Sequence, residues 1–228
     1  EDLTLVAMSA TLDADRLRRI LGGTSGGVAP LVEVPGRLHP LEEVWAPPGR
    51  TGRLGPCGVP REFLTHVAAT VERALAEHSG DLLAFLPGAR EVDDVVARLR
   101  DAAHEGVDVL PLHGRLPASA QDAALTPSPA GRRRVVVSTN VAESSLTVPG
   151  VRVVVDSTLA REPRLDVARS MSGLVTVGVS RAAGVQRAGR AGREGPGVVY
   201  RCCSPTDWAR SPLAPTPEIL SADLTGAA

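Results

Sequence analysis

Lysine is absent from this chain of 228 residues, so all 25 of its basic residues are arginine. Codon composition is the first explanation for that bias, and a need for forked contacts to phosphate the second. Aromatic residues make up only 2% of the chain, which leaves little material for platforms on which bases could stack. Cysteine is scarce as well. Cys57 and the vicinal Cys202 and Cys203 form neither a Cys-x-x-Cys pair nor the even framework of a small secreted domain, so a reducing compartment is expected. No run approaches the roughly 18 apolar residues of a spanning helix. Glu1-Asp2 is not the start of a signal peptide, and the expected setting is cytoplasmic, with no membrane partner. A net charge of −1 argues against gross attraction to a polyanion but leaves a local basic groove open.

What is there suits one main core, since 43% of the residues are hydrophobic and the length exceeds that of a minimal domain. The opening LTLVAMSAT reads as a buried strand, so residue 1 falls inside a fold, and Leu12, Leu17, Ile20 and Leu21 are spaced for a short helix. Leu31 to Val34 reads as a short strand, Pro35-Gly36 as a turn before the apolar segment Leu41 to Ala46, and the Pro- and Gly-rich stretch from Pro47 to Pro60 as an exposed connection. Then come helices near 61–78, 89–103 and 118–125, alternating with the apolar runs DLLAFLP, VDVLPLH, RVVVSTN and VRVVVDS. Helices alternating with Val-rich strands predict an α/β fold in which a parallel sheet of the RecA or Rossmann-like class is covered on both faces. After Asp156 the runs RLDV and GLVTVGV, separated by the turn-prone ARSMSG, predict an antiparallel β-hairpin insertion over about 159–179. A helix over about 180–191 and a strand over 197–202 close the domain, and a Pro-rich linker begins the tail.

Three stretches carry chemistry. QRAGRAGR, Gln186 to Arg193, spaces Arg187, Arg190 and Arg193 by three, which would keep them near one side of a helix as a cationic comb. Gly189 and Gly192 would each cost roughly 1 kcal/mol inside a helix. A solvated face gives no reason to accept that cost, whereas close approach of a phosphate or another backbone does. STNVAESSLTVPGV, Ser138 to Val151, places hydroxyls directly after an apolar strand, where ligands of open α/β sheets bind. Its plainer reading is a helix cap at Thr139 or Asn140. Ser9-Ala10-Thr11 follows the first apolar run and gains weight only from its order with the other two.

Taken together these stretches resemble the motifs of superfamily 2 helicases of the DEAH-box family, in the bacterial HrpB-type branch. QRAGRAGR resembles motif VI, TNVAESSLT motif V, and Ser9-Ala10-Thr11 motif III, while FLPGAREV and LPLHGRLPASAQ resemble motif IV and the loop that follows it. The branch is marked by FLPG, LPLxGRLPxxxQ, the form QRAGRAGR and the tail PEIL-x-x-DL-x-G at Pro217 to Gly226, and the likeness covers essentially the whole chain. The resemblance implies that Gln186 helps to place an attacking water and that Arg190 and Arg193 act as arginine fingers on a transferring phosphoryl group. It implies that Thr139, Asn140, Arg90 and Arg115 contact the backbone of single-stranded RNA or DNA, and that Glu143, Ser145, Gly189 and Leu125 serve the nucleotide. Ser9 and Thr11 would link hydrolysis to strand movement. The resemblance also implies that the hairpin separates strands or guides them, and its Arg161, Arg164 and Arg169 would suit phosphate contact, as they would a solvated edge. His113 is expected to pack or face solvent rather than to catalyse.

Two departures qualify the resemblance. Leu125 stands where relatives often carry an aromatic residue that stacks on the nucleotide base, which implies weak base selectivity. No GxxxxGK[ST] and no Asp-Glu-x-His occurs in the chain. The implied organisation is therefore a remnant of a first RecA-like domain at 1–37, a second RecA-like domain at 38–210, and at 211–228 a linker with the start of a helical or winged-helix-type region. ATP and Mg²⁺ would be held mainly by the first RecA-like domain of the same polypeptide, and the chain alone would be inactive. Two alternatives stay open: a module that binds nucleic acid or nucleotide phosphate without turnover, and a related motor acting on something other than nucleic acid.

Overall fold

The computed structural model describes residues 5–7, 14–22, 27–33, 39–102, 105–129, 131–143, 146–166 and 171–216. The chain divides into two compact units, 1–37 and 38–228. In the first, helix α1 (Ala14–Leu21) is followed by a return of the chain that Arg18 ties down, its Nε donating to the Ala29 carbonyl at 2.9 Å. The strand expected at Leu31 to Val34 does not form over the described residues 31–33, and Leu5 to Ala7 likewise take no regular structure. All five of Leu5, Val6, Ala7, Leu31 and Val32 are exposed within the described chain, so an apolar run lacks the covered face that would make it a core strand. Ser9 and Thr11 lie outside the described residues, as does the tail signature at 217–226.

The second unit is built on six strands, β1 (Leu41–Trp45), β2 (Asp81–Phe85), β3 (Val107–Leu112), β4 (Arg133–Ser138), β5 (Val151–Asp156) and β8 (Gly197–Arg201). They lie in the order β1-β8-β5-β2-β4-β3, and every neighbouring pair is parallel. Helices α2 (Arg61–Glu77), α3 (Ala89–Asp101), α4 (Ala118–Leu125) and α5 (Arg181–Gly189) cover it, and α6 (Pro205–Ala209) follows β8.

Alternation along the strands sorts the core into two layers, because successive side chains leave a strand on opposite faces. Leu82 and Ala84, Val135 and Val137, Val153 and Val155, and Val198 and Tyr200 pack with Phe63, Val67 and Val71 of α2 and Val92, Val95 and Leu99 of α3. Leu83, Phe85, Val136, Val154 and Val199 face the other way, against Ala124 of α4 and Ala188 of α5. The sheet is thus buried on both faces, which is why its strands read as continuous apolar runs.

Between β5 and α5 the chain leaves the sheet as the antiparallel hairpin β6 (Leu159–Asp166) and β7 (Met171–Gly178), in register from Leu159 opposite Gly178 to Asp166 opposite Met171. Its entry is the residue Thr158, which holds φ at 57°, a conformation costly for a β-branched side chain. Three contacts hold it there. The Thr158 amide donates to Asp156 Oδ1 at 2.8 Å, Arg53 Nη1 donates to Thr158 Oγ1 at 2.7 Å, and the Val179 amide donates to the Thr158 carbonyl at 3.0 Å.

Candidate phosphate and nucleic-acid site

The C-terminal ends of the parallel strands bring the predicted residues to one edge of the sheet. At the end of β4, the Ser138 hydroxyl and the Thr139 amide both donate to the Leu112 carbonyl, at 3.0 and 3.2 Å, pinning this corner to the end of β3. Thr139 is extended and opens a single 3-10 turn, Asn140–Ala142, without capping it through its side chain. Its hydroxyl is therefore left for another partner. Asn140 is exposed beside it. Arg115, just beyond β3, and Arg90, in the first turn of α3, are exposed too, so four groups able to contact phosphate oxygens stand at the ends of neighbouring strands. His113 is buried at the end of β3, with Nε2 3.3 Å from Asp93 Oδ1, in keeping with packing rather than chemistry.

The arginines of QRAGRAGR do not form a comb. α5 ends at Gly189 rather than near residue 191, and the chain tightens into short turns in which the amides of Arg190 and Ala191 donate to the carbonyls of Arg187 and Ala188. Arg187 points inward and is 1% exposed. Its Nε donates to Glu143 Oε2 at 2.9 Å, and its Nη1 to Asp156 Oδ1 at 2.9 Å and to the Leu159 carbonyl at 3.0 Å. The two carboxylates hold this guanidinium above its ordinary pKa against the opposing effect of burial. Arg190 is largely covered, donating through Nε at 3.0 Å and through Nη2 to the Glu143 carbonyl, and through Nη1 to the Leu146 carbonyl at 3.0 Å. Burial, and then the neighbouring Arg193, lower its pKa. Arg193 is exposed, its Nη1 donating to Thr147 Oγ1 at 2.7 Å.

Glu143 therefore grips two arginines at once, Arg187 with its carboxylate and Arg190 with its carbonyl. Glu143, after β4, and the segment after α5 thus meet in one corner, beside which Arg193 is exposed. Gln186 is half-exposed on the preceding turn and Gly189 closes the helix. At Gly192 it is a backbone that comes close: the His39 amide donates to the Gly192 carbonyl at 3.0 Å, and an added Cβ would lie 3.1 Å from the His39 carbonyl oxygen. Leu125, the last residue of α4, lies partly buried against the second core layer. Ser145 falls outside the described residues.

Sequence reasoning missed Asp156, Glu43 and Arg201. Arg201 is 1% exposed, donates to Glu43 Oε1 at 2.7 Å and lies 3.9 Å from the centre of the Trp208 ring. Asp156 ends a Val-rich strand, and a carboxylate that terminates a fully buried run is the signal that could have marked it. Of the arginines here, Arg193 is the exposed one that an anionic phosphate group could reach, since all three guanidinium nitrogens of the buried Arg190 donate to carbonyls. Among the described residues there is no group of three His, Cys, Asp or Glu that could hold a metal ion, and no helix long and apolar enough to cross a membrane.

A RecA-like parallel sheet with hydroxyls, an acidic grip and arginines at its strand ends is the class of domain that the site defines. The Helicase conserved C-terminal domain model matches residues 65–195, and the chain belongs to that family, in its DEAH-box branch. It is 40% identical to the ATP-dependent RNA helicase HrpB of Escherichia coli, over 99% of this chain and 26% of that protein. It is 38% identical to the probable ATP-dependent RNA helicase DHX34 of Mus musculus, over 96% of this chain and 19% of that protein. The crystal structure of the E. coli DExH-box NTPase HrpB matches with a TM-score of 0.83 at 38% identity, over 96% of this chain and 26% of that one. The chain thus spans about a quarter or less of the length of these relatives.

Proposed function

We propose that this chain is the second RecA-like half of an ATP-dependent RNA helicase, and that it supplies arginine fingers and backbone contacts to a single strand clamped against a first RecA-like domain. The observation that carries the reading is the double grip of Glu143 on Arg187 and Arg190, which presents the exposed Arg193 on a preorganised corner. Preorganised cations cost no rearrangement when charge develops in a transition state. Bound ATP, with its Mg²⁺, supplies the phosphoryl group on which that charge develops. Both would sit chiefly on the first domain, since the chain carries no GxxxxGK[ST].

Within this reading Arg193 and Arg190 act as the arginine fingers that neutralise phosphate oxygens, and Gln186 orients water at the same corner. Thr139, Asn140, Arg90 and Arg115 hold the phosphates of a strand, a contact that positions without reading sequence. Glu143, Ser145 and Gly189 couple the corner to the nucleotide, Leu125 leaves base selectivity weak, and Ser9 and Thr11 join hydrolysis to strand movement. RNA is favoured over DNA because the relatives above are named as RNA helicases.

The test is ATP hydrolysis by the intact protein with and without single-stranded RNA or DNA, beside the isolated 228-residue chain. The expected result is turnover stimulated by the strand in the intact protein and none in the chain alone. Turnover by the chain alone, or an intact protein indifferent to both nucleic acids, would overturn the proposal.

A further inference from the structure

The hairpin is fastened twice. At its root Arg187, of the arginine-bearing helix, donates to the Leu159 carbonyl, the first of β6. Two residues further along β6, Arg161 turns onto α3. Its Nη2 lies 3.1 and 3.2 Å from Glu91 Oε1 and Oε2, and the two side chains are only 26% and 13% exposed. Beneath this pair is Gly88, the residue that caps α3. Its φ of −155° is ordinary extended backbone, so nothing in its own conformation calls for glycine. The ion pair sits directly over it instead: an added Cβ would lie 2.5 Å from Arg161 Cζ and 2.6 Å from Glu91 Oε2, so both side-chain ends would have to shift. The glycine of FLPG is thus the seat of a guanidinium that arrives from the hairpin.

This arrangement separates Arg161 from Arg164. Three positions apart on one strand, they leave opposite faces of the ribbon. Arg164 is exposed and lines a groove with Arg53 and Arg210, while Arg161 is committed to a carboxylate. Arg161 is therefore turned to Glu91 rather than presented beside Arg164.

We propose that Arg161 and Glu91, seated on Gly88, form a latch that sets the angle of the hairpin over the sheet, and that they are positioning residues for strand separation rather than for ATP turnover. The inference rests on the helicase reading above. With the latch closed, a movement of the arginine-bearing corner, which holds the hairpin root through Arg187, carries the whole hairpin as one lever. With the latch open, the same movement is absorbed at the root, around Thr158.

The experiment uses the intact protein and compares Glu91→Arg, Arg161→Glu and the double exchange. Two quantities are read: kcat for ATP hydrolysis stimulated by single-stranded RNA, and base pairs separated per ATP hydrolysed. The two single variants are expected to keep kcat within about twofold and to lose roughly fivefold or more in base pairs per ATP, with the double exchange restoring most of it, as directly coupled pairs do. A double exchange no better than the single variants, or single variants whose yield per ATP is unchanged, overturns the latch. A wild-type protein whose ATP turnover ignores RNA and DNA alike overturns the helicase reading itself, a result distinct from loss of yield in the variants.

Discussion

The guanidinium of Arg187 lies 2.9 Å from Asp156 Oδ1, and neither side chain is more than 1% exposed. The pair joins the helix of QRAGRAGR to the end of β5, and through Glu143 it joins both to the loop after β4. An ion pair so deeply placed owes its worth to completeness, because without Arg187 the buried Asp156 keeps, among the described residues, only the Thr158 amide and the more distant Arg201, at 3.9 Å, and loses its close counter-charge. Substituting Arg187 by Met should therefore lower stability by about 3–5 kcal/mol. Urea denaturation of the chain would read this, and a change within about 1 kcal/mol would contradict it.

Burial raises the thiol pKa of Cys202 and of Cys203, and it also raises the phenol of Tyr200, which donates to Glu77. Groups whose pKa is raised by folding stabilise the native state fully below their unfolded pKa and lose that contribution as pH rises above it. Stability should thus begin to fall above roughly pH 8.5, where unfolded thiols ionise. At pH 8 a disulfide reagent should modify the exposed Cys57 rapidly in the native chain and all three thiols only in denaturant. Three fast thiols in the native state would contradict the packing.

On the acid side, Asp108 is held below the usual carboxylate range by Arg132, and Glu77 by Arg73 and then Tyr200. Their contributions are present above roughly pH 4 and lost as pH falls through the depressed values. Both groups are solvated, so exchanging Arg132 for Gln should blunt the acid limb of a melting-temperature profile only slightly. A large acid shift from that one change would mean that the pair is shielded far better than it is here.

The strand contacts predicted for Arg90 and Arg115 have a signature in salt. Each phosphate that loses its cation should reduce the slope of log K against log salt by about 0.7 for a single strand. Arg90→Ala and Arg115→Ala in the intact protein should each show that reduction across unrelated sequences. A loss confined to one sequence would point instead to a base contact.

Much of the fold could be read directly. Valine runs such as RVVVS and VRVVVD are strands because a sheet covered on both faces needs no polar alternation, and five of the six parallel strands lie where such runs predict; the sixth, β1, is LEEVW, which reads from the sequence only as an apolar segment. The hairpin was legible from its turn-prone ARSMSG. The site was legible by residue type and not by direction. Spacing by three said that Arg187, Arg190 and Arg193 share a side, but it could not say that Asp156 and Glu143, 31 and 44 residues away, would draw the first of them into the core. Nor could it foresee that Arg161 would leave the solvent for Glu91, 70 residues earlier, over a glycine whose emptiness is meaningful only once both have arrived. Charge pairs across a sheet leave no periodicity. The one local mark they left was an aspartate closing an apolar strand. The short strand expected at Leu31 to Val34 failed for the converse reason, since an apolar run alone does not name the surface that would cover it.

The most direct test of the account is nucleic acid-stimulated ATP hydrolysis by the intact protein, with Arg190→Ala and Arg193→Ala measured beside wild type. Arginine fingers act on the transferring phosphoryl group, so either substitution should lower kcat by on the order of 10³ or more while the protein still binds RNA. Turnover unaffected by both substitutions, or absent in the wild type, would make the corner around Glu143 a surface that binds phosphate without turning it over.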